Sequence, residues 1–172
     1  MVLHAQVEPH IEIHKYSAWA VFGVALSSVV FQAFLPVYFG RAVILELPLL
    51  VTLYFGLSRR NPATGLLLGT AIGLLQDLVS GLPVGLYGIA KTLVGFAASS
   101  IGSRLDVEHP LSRFALAFVF FFFHHAAFTV TKLLLLAESE LFFSAPLVAA
   151  SVLNAGLAVL LFPALDRLRR PD

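Results

Sequence analysis

Between Gly65 and Gly102 the chain reads GLLLGTAIGLLQDLVSGLPVGLYGIAKTLVGFAASSIG, two membrane-length apolar segments that carry Asp77 and Lys91 within them. An isolated charge at the centre of a membrane helix costs roughly 2.5 to 3.5 kcal/mol on insertion scales, so such a segment needs a sheltered face. Glycine supplies one. Gly65, Gly69 and Gly73 recur at i+4, and Gly88, Gly95 and Gly102 recur every seven residues. Rows of this kind let helix backbones approach closely where no water presses them together. Asp77 lies one turn beyond Gly73, and Lys91 lies between Gly88 and Gly95. Each charge therefore shares a face with a glycine row and points into a bundle.

The rest of the chain obeys the same solvent. In 172 residues, 59% are hydrophobic and the mean hydropathy is +0.91, values outside the range of a water-soluble domain. The fold class expected is all-α: a polytopic membrane protein built as a six-transmembrane-helix bundle. A net charge of +1 with no basic stripe argues against nucleic acid as a partner. Cysteine is absent, which removes disulfides and thiolate chemistry. No cofactor is expected, and no signal peptide is visible.

Taken in order, residues 1–15 form a polar leader whose His10 and His14 lack a third ligand to close a metal site. Residues 16–163 form the membrane domain. Helix one is expected from Tyr16 to Leu35, ended by Pro36, and helix two from Val43 to Leu57 with Pro48 in its first turns. Helix three follows over Ala63 to Val79 and helix four over Val84 to Ile101. A polar loop from Ser103 to Arg113 precedes helix five, Phe114 to Ala137. Ser144 caps helix six, which runs to Phe162. Residues 164–172 close the chain as a basic tail.

Six spans place both termini on one side. Lys15, Arg59, Arg60, Arg104, Arg113, Arg167, Arg169 and Arg170 fall on that side, and Arg41 alone falls in a loop on the other. The positive-inside rule then puts both termini in the cytoplasm. On this plan Glu46, Asp77, Lys91 and Lys132 cluster towards the outer half of the bilayer. Asp77 and Lys91 flank one tight turn and are the expected ion pair. The cluster either fixes helix register as interior ion pairs, or lines an outward-facing cavity or a partner-helix contact; Lys132, near a helix end, also has room to snorkel. His124 and His125 fall at mid-membrane, with Asn154 or Thr129 as the expected hydrogen-bond partner. No catalytic motif occurs. Helices one to three and four to six share no glycine or charge placement, which argues against an inverted-repeat transporter.

Over Glu46 to Gly102 the chain resembles the rod shape-determining protein MreD family. The resemblance is carried by Glu46 near a helix start, Leu53-Tyr54-Phe55 followed by Arg59-Arg60, and Gln76-Asp77-Leu78-Val79-Ser80-Gly81-Leu82-Pro83-Val84-Gly85. Its most specific element is Asp-x-x-x-Gly-x-Pro-x-Gly, matched by Asp77, Gly81, Pro83 and Gly85. Two positions depart from the family pattern: Glu46 stands where Asp is more familiar, and Lys91 is charged where an uncharged residue is expected. The resemblance implies a non-enzymatic subunit of the bacterial elongation machinery in the cytoplasmic membrane. It implies association with an MreC-like protein and, through it, with a transpeptidase and a SEDS-type glycosyltransferase, with an MreB filament on the cytoplasmic face. It also implies a fold similar to the S-components of energy-coupling-factor transporters. A small-molecule-binding uptake subunit is the alternative function.

Overall fold

The computed structural model describes residues 16–39, 45–102, 105, 107–138 and 144–169. Lys15, Arg41, Arg104, Arg170, His10 and His14 lie outside the described residues. Among the described residues six helices follow one another: α1 (Ala18–Phe39), α2 (Leu47–Arg59), α3 (Pro62–Ser80), α4 (Leu86–Gly102), α5 (Pro110–Leu136) and α6 (Ala145–Asp166). The only strand-like pairing among the described residues is a single bridge between Tyr16 and Arg169. The chain is an all-helical integral membrane protein.

The helices are not equivalent. α1, α3, α5 and α6 are long and apolar enough to cross a bilayer. α2 has 13 residues and α4 has 17, or about 20 and 26 Å of rise, short of a hydrocarbon core about 30 Å thick. α2 occupies the centre. Pro48 to Ser58 is buried without interruption, with Leu50, Leu53 and Phe55 wholly enclosed. Around it stand Val21, Ala25 and Val29 of α1, Val94 and Ala98 of α4, Phe120 and Phe121 of α5, and Ala155 and Phe162 of α6. A helix apolar on every side is enclosed by others rather than presented to a surface.

Glycine decides the closest packing. A Cβ added at Gly65 would overlap Ser99 and the Gly95 carbonyl, one at Gly69 the Lys91 carbonyl, and one at Gly73 the Tyr87 carbonyl. The Gly65, Gly69 and Gly73 row is thus the seam between α3 and α4. Gly102 turns to the other neighbour, where a Cβ would meet the backbone of Leu57 in α2.

Several boundaries differ from expectation. Pro36 does not end α1, which continues to Phe39, because a proline removes one backbone hydrogen bond and adjoining helices in a membrane re-satisfy such groups. The same holds for Pro163 inside α6, which reaches Asp166 rather than Phe162. α5 starts at Pro110 with the His109 side chain accepting from the Leu111 N–H. Arg113 is therefore a buried residue of the first turns of α5, not a loop residue.

Candidate functional site

At the end of the bundle where α2 and α4 begin and α3 ends, polar side chains from five helices meet. The two short helices start here, and the first N–H groups of a helix have no partner within it. In a membrane each unsatisfied group costs several kcal/mol. Side chains from elsewhere in the fold supply the missing acceptors. For α2, the Glu46 N–H donates to Asn154 Oδ1 of α6 at 2.8 Å and the Leu47 N–H to Gln32 Oε1 of α1 at 3.1 Å. Pro48 has no N–H to satisfy. Gln32 Nε2 donates to the Leu45 carbonyl at 2.7 Å, so one amide grips the chain on both sides of Glu46.

Asp77 does the same for α4. Its Oδ2 accepts the Gly85 N–H at 2.8 Å and the Gly88 N–H at 3.0 Å, and its Oδ1 accepts the Tyr87 N–H at 2.8 Å. The residue is 1% exposed. The Asp-x-x-x-Gly-x-Pro-x-Gly spacing acquires a physical meaning here: Gly81 (φ +67°) and Gly85 (φ +112°) take backbone conformations that favour glycine, and they fold the chain back so that the carboxylate ending one helix caps the next. Pro83 sits between them in the turn. The negative carboxylate at a helix N-terminus is also favoured by the helix dipole.

The expected Asp77–Lys91 ion pair is not formed, since Asp77 is engaged by three backbone donors. Lys91, wholly buried, pairs with Glu46 instead, Nζ to Oε2 at 3.5 Å. The same ammonium lies 3.3 Å from His124 Nε2 and 4.4 Å from the centre of the Tyr87 ring. With Lys91 as donor, His124 Nε2 is the acceptor, and the ring face adds a cation–π contact. His124 stacks nearly parallel to Tyr87, at 6.0 Å and 6°. Its partner is therefore Lys91, not Asn154 or Thr129: Asn154 is taken by Glu46 and the Ala150 carbonyl, and Thr129 Oγ1 is buried without a partner. Glu46 Oε2 also accepts from Gln76 Nε2 at 3.4 Å.

Lys132 does not join this group. It pairs with Glu138 at 3.0 Å beyond the end of α5, about 12 Å along the helix from His124 at 1.5 Å per residue. Of the basic residues expected at the opposite end, Arg113 Nη2 meets Asp166 Oδ2 at 2.7 Å and Arg169 meets Asp166 Oδ1 at 2.7 Å and Glu108 at 3.0 Å. Tyr54 donates to Asp166 at 2.9 Å and must then accept from Tyr16 at 3.0 Å. This closes the termini of α1, α2, α5 and α6 into one clamp. Arg59 ends α2, Arg60 is its C-cap, and Arg167 follows α6, so these positions share that end.

Sequence reasoning missed Gln32, Gln76 and Tyr87. Each is a polar or amphipathic residue within an apolar run, and Gln32 precedes Pro36 by one turn; that is the signal available in the chain. The family model of rod shape-determining protein MreD matches residues 13–170. The chain belongs to the MreD family. No curated protein and no solved structure matches it. Glu46 and Lys91 form the buried ion pair of this site. Among the described residues, no three His, Asp or Glu side chains converge as a metal set.

Proposed function

We propose that this MreD-family protein is a non-enzymatic scaffold of the rod complex in the bacterial cytoplasmic membrane, holding the single membrane helix of an MreC-like partner and so helping to organise side-wall peptidoglycan synthesis. The observation that carries the reading is the family match over residues 13–170. The architecture supports it: Gln32, Asn154 and Asp77 cap the α2 and α4 starts and Glu46 pairs with Lys91 between them, which suits a rigid platform. The transpeptidase, the SEDS-type glycosyltransferase and the MreB filament are further members of the proposed assembly. Both termini are assigned to the cytoplasm, because Arg59, Arg60, Arg113, Arg167 and Arg169 gather at one end while Asp77 and Glu46 lie at the other.

The partner helix is assigned to the groove of about 390 Å³ between α1 and α6. Gly23, Val24, Ser27 and Leu161 line it, and a Cβ at Gly23 would meet nothing. That leaves room for an incoming helix to approach the backbone, as association within lipid requires. Co-purification of the tagged protein from native membrane tests the reading: an MreC-like protein is expected with the wild type and is reduced several-fold with Gly23→Leu. Recovery of a transporter ATPase in its place would overturn the scaffold assignment and favour the uptake subunit.

A further inference from the structure

A second concavity, about 280 Å³, opens between α1 and α3. Gln32, Ala33 and Pro36 line it from α1, Gln76 and Val79 from α3, and Tyr87 from α4. These residues sit in or near the last turns of α1 and α3 and the first turn of α4, which sets the cavity at the level where a bilayer passes from acyl chains to headgroups. Its volume is at the lower limit for small-molecule pockets, roughly 300 Å³ and above. It has room for a headgroup rather than for a large ligand.

One buried polar atom of its wall lacks a donor. Gln76 is 4% exposed; its Nε2 is committed to the Glu46 carboxylate, which fixes the amide orientation and leaves Oε1 buried without a partner. A buried acceptor left unpaired costs about 1–3 kcal/mol. Just beyond Gln76, both hydrogen bonds that the Glu46 side chain makes among the described residues land on Oε2. Nearby, Glu46 and Asp77 supply two carboxylates against the single ammonium of Lys91. An unpaired acceptor together with surplus negative charge selects a positively charged donor.

We propose that this cavity binds a primary ammonium group, presented at headgroup depth by a membrane lipid, with Gln76 Oε1 as its acceptor and the neighbouring Glu46 carboxylate as the charge that favours it. The chemistry predicts discrimination by N-methylation. A quaternary ammonium keeps the charge and has no N–H to offer.

The test uses the purified full chain, delipidated in detergent, with thermal unfolding followed on addition of phosphatidylethanolamine or phosphatidylcholine of identical acyl chains, and separately of free ethanolamine. A saturable rise of roughly 3–6 °C is expected with phosphatidylethanolamine at about ten times its Kd, and less than a third of that with phosphatidylcholine. A matching rise with free ethanolamine would support the same site with a soluble amine as the source. Gln76→Leu should abolish the discrimination between the two lipids. Should that variant fail to fold, Ala33→Phe, at an exposed lining position, fills the cavity from outside and should do the same. Equal shifts with the two lipids, no shift with either amine, or undiminished discrimination in Ala33→Phe would each overturn the proposal. None of these outcomes depends on whether an MreC-like partner is recovered.

Discussion

Asp77 shows how one side chain can determine where a helix begins. Its three accepted N–H bonds make it the cap of a helix other than its own. Replacing it by Asn keeps one oxygen and loses the charge; replacing it by Ala strands three donors in a membrane. Asp77→Asn is expected to lower detergent-solubilised yield more than Glu46→Gln does, and Asp77→Ala more than either, all measured by fluorescence-detected size exclusion. The reciprocal exchange Asp77→Lys with Lys91→Asp should rescue nothing, because the two residues are not partners; recovery above the single variants would count against the capping role. The Glu46–Lys91 pair predicts the opposite behaviour. Lys91→Met leaves a carboxylate unpaired beside Gln76, a loss of about 3–5 kcal/mol for a broken buried pair. Adding Glu46→Gln to Lys91→Met should return a substantial part of the lost thermal stability, since removing both charges of a buried pair is far less costly than removing one.

At the scale of elements, two helices too short to span are held by their neighbours. α2 and α4 both begin at membrane depth, and both have their first N–H groups satisfied by side chains that sequence neighbours could not supply, Gln32 and Asn154 for α2 and Asp77 for α4. The α3–α4 seam then depends on the absence of side chains. Gly69→Ala drives a methyl group into the Lys91 backbone, and Gly65→Ala drives one into Ser99 and Gly95; each should destabilise by about 1–3 kcal/mol, as overpacking does. Gly88→Ala meets chiefly the end of the Leu74 side chain, which has rotamers to move into. Its loss of melting temperature should therefore be the smallest of the three. Equal losses would mean that helix propensity, not close approach, sets the cost of these positions.

For the whole molecule, the two ends of the bundle are built differently. One end is the polar cluster around Glu46 and Lys91. The other is the clamp in which Asp166 receives Arg113, Arg169 and Tyr54, tying α2 and α5 to the end of α6. Asp166→Asn removes the charge that holds two guanidinium groups. It should lower thermal stability by about 1–3 kcal/mol, the range for hydrogen bonds to charged groups, and increase proteolysis of the C-terminal segment. The orientation can be read separately. Single cysteines placed at Ser80 and at Arg167 in this cysteine-free chain should label from opposite sides of the membrane, with the Arg167 position protected from a membrane-impermeant thiol reagent in intact cells. Labelling at both positions would remove the two-ended reading.

Composition and helical spacing were enough to establish an all-helical membrane bundle and to pick out the Gly65, Gly69 and Gly73 row as a packing seam, and the resemblance to the MreD family brought Asp77, Gly81, Pro83 and Gly85 together as one motif. These are properties of a single segment and its solvent, so a linear reading reaches them. The partner of each charge was not legible in that way. Lys91 reaches Glu46, 45 residues earlier, and Asn154 reaches the start of α2 across 108 residues; such choices depend on which helices adjoin and how each is rotated. Proximity along the chain favoured Asp77 for Lys91. The tertiary structure decided otherwise, because a helix start buried within the bundle has no water to satisfy it and claimed the carboxylate first.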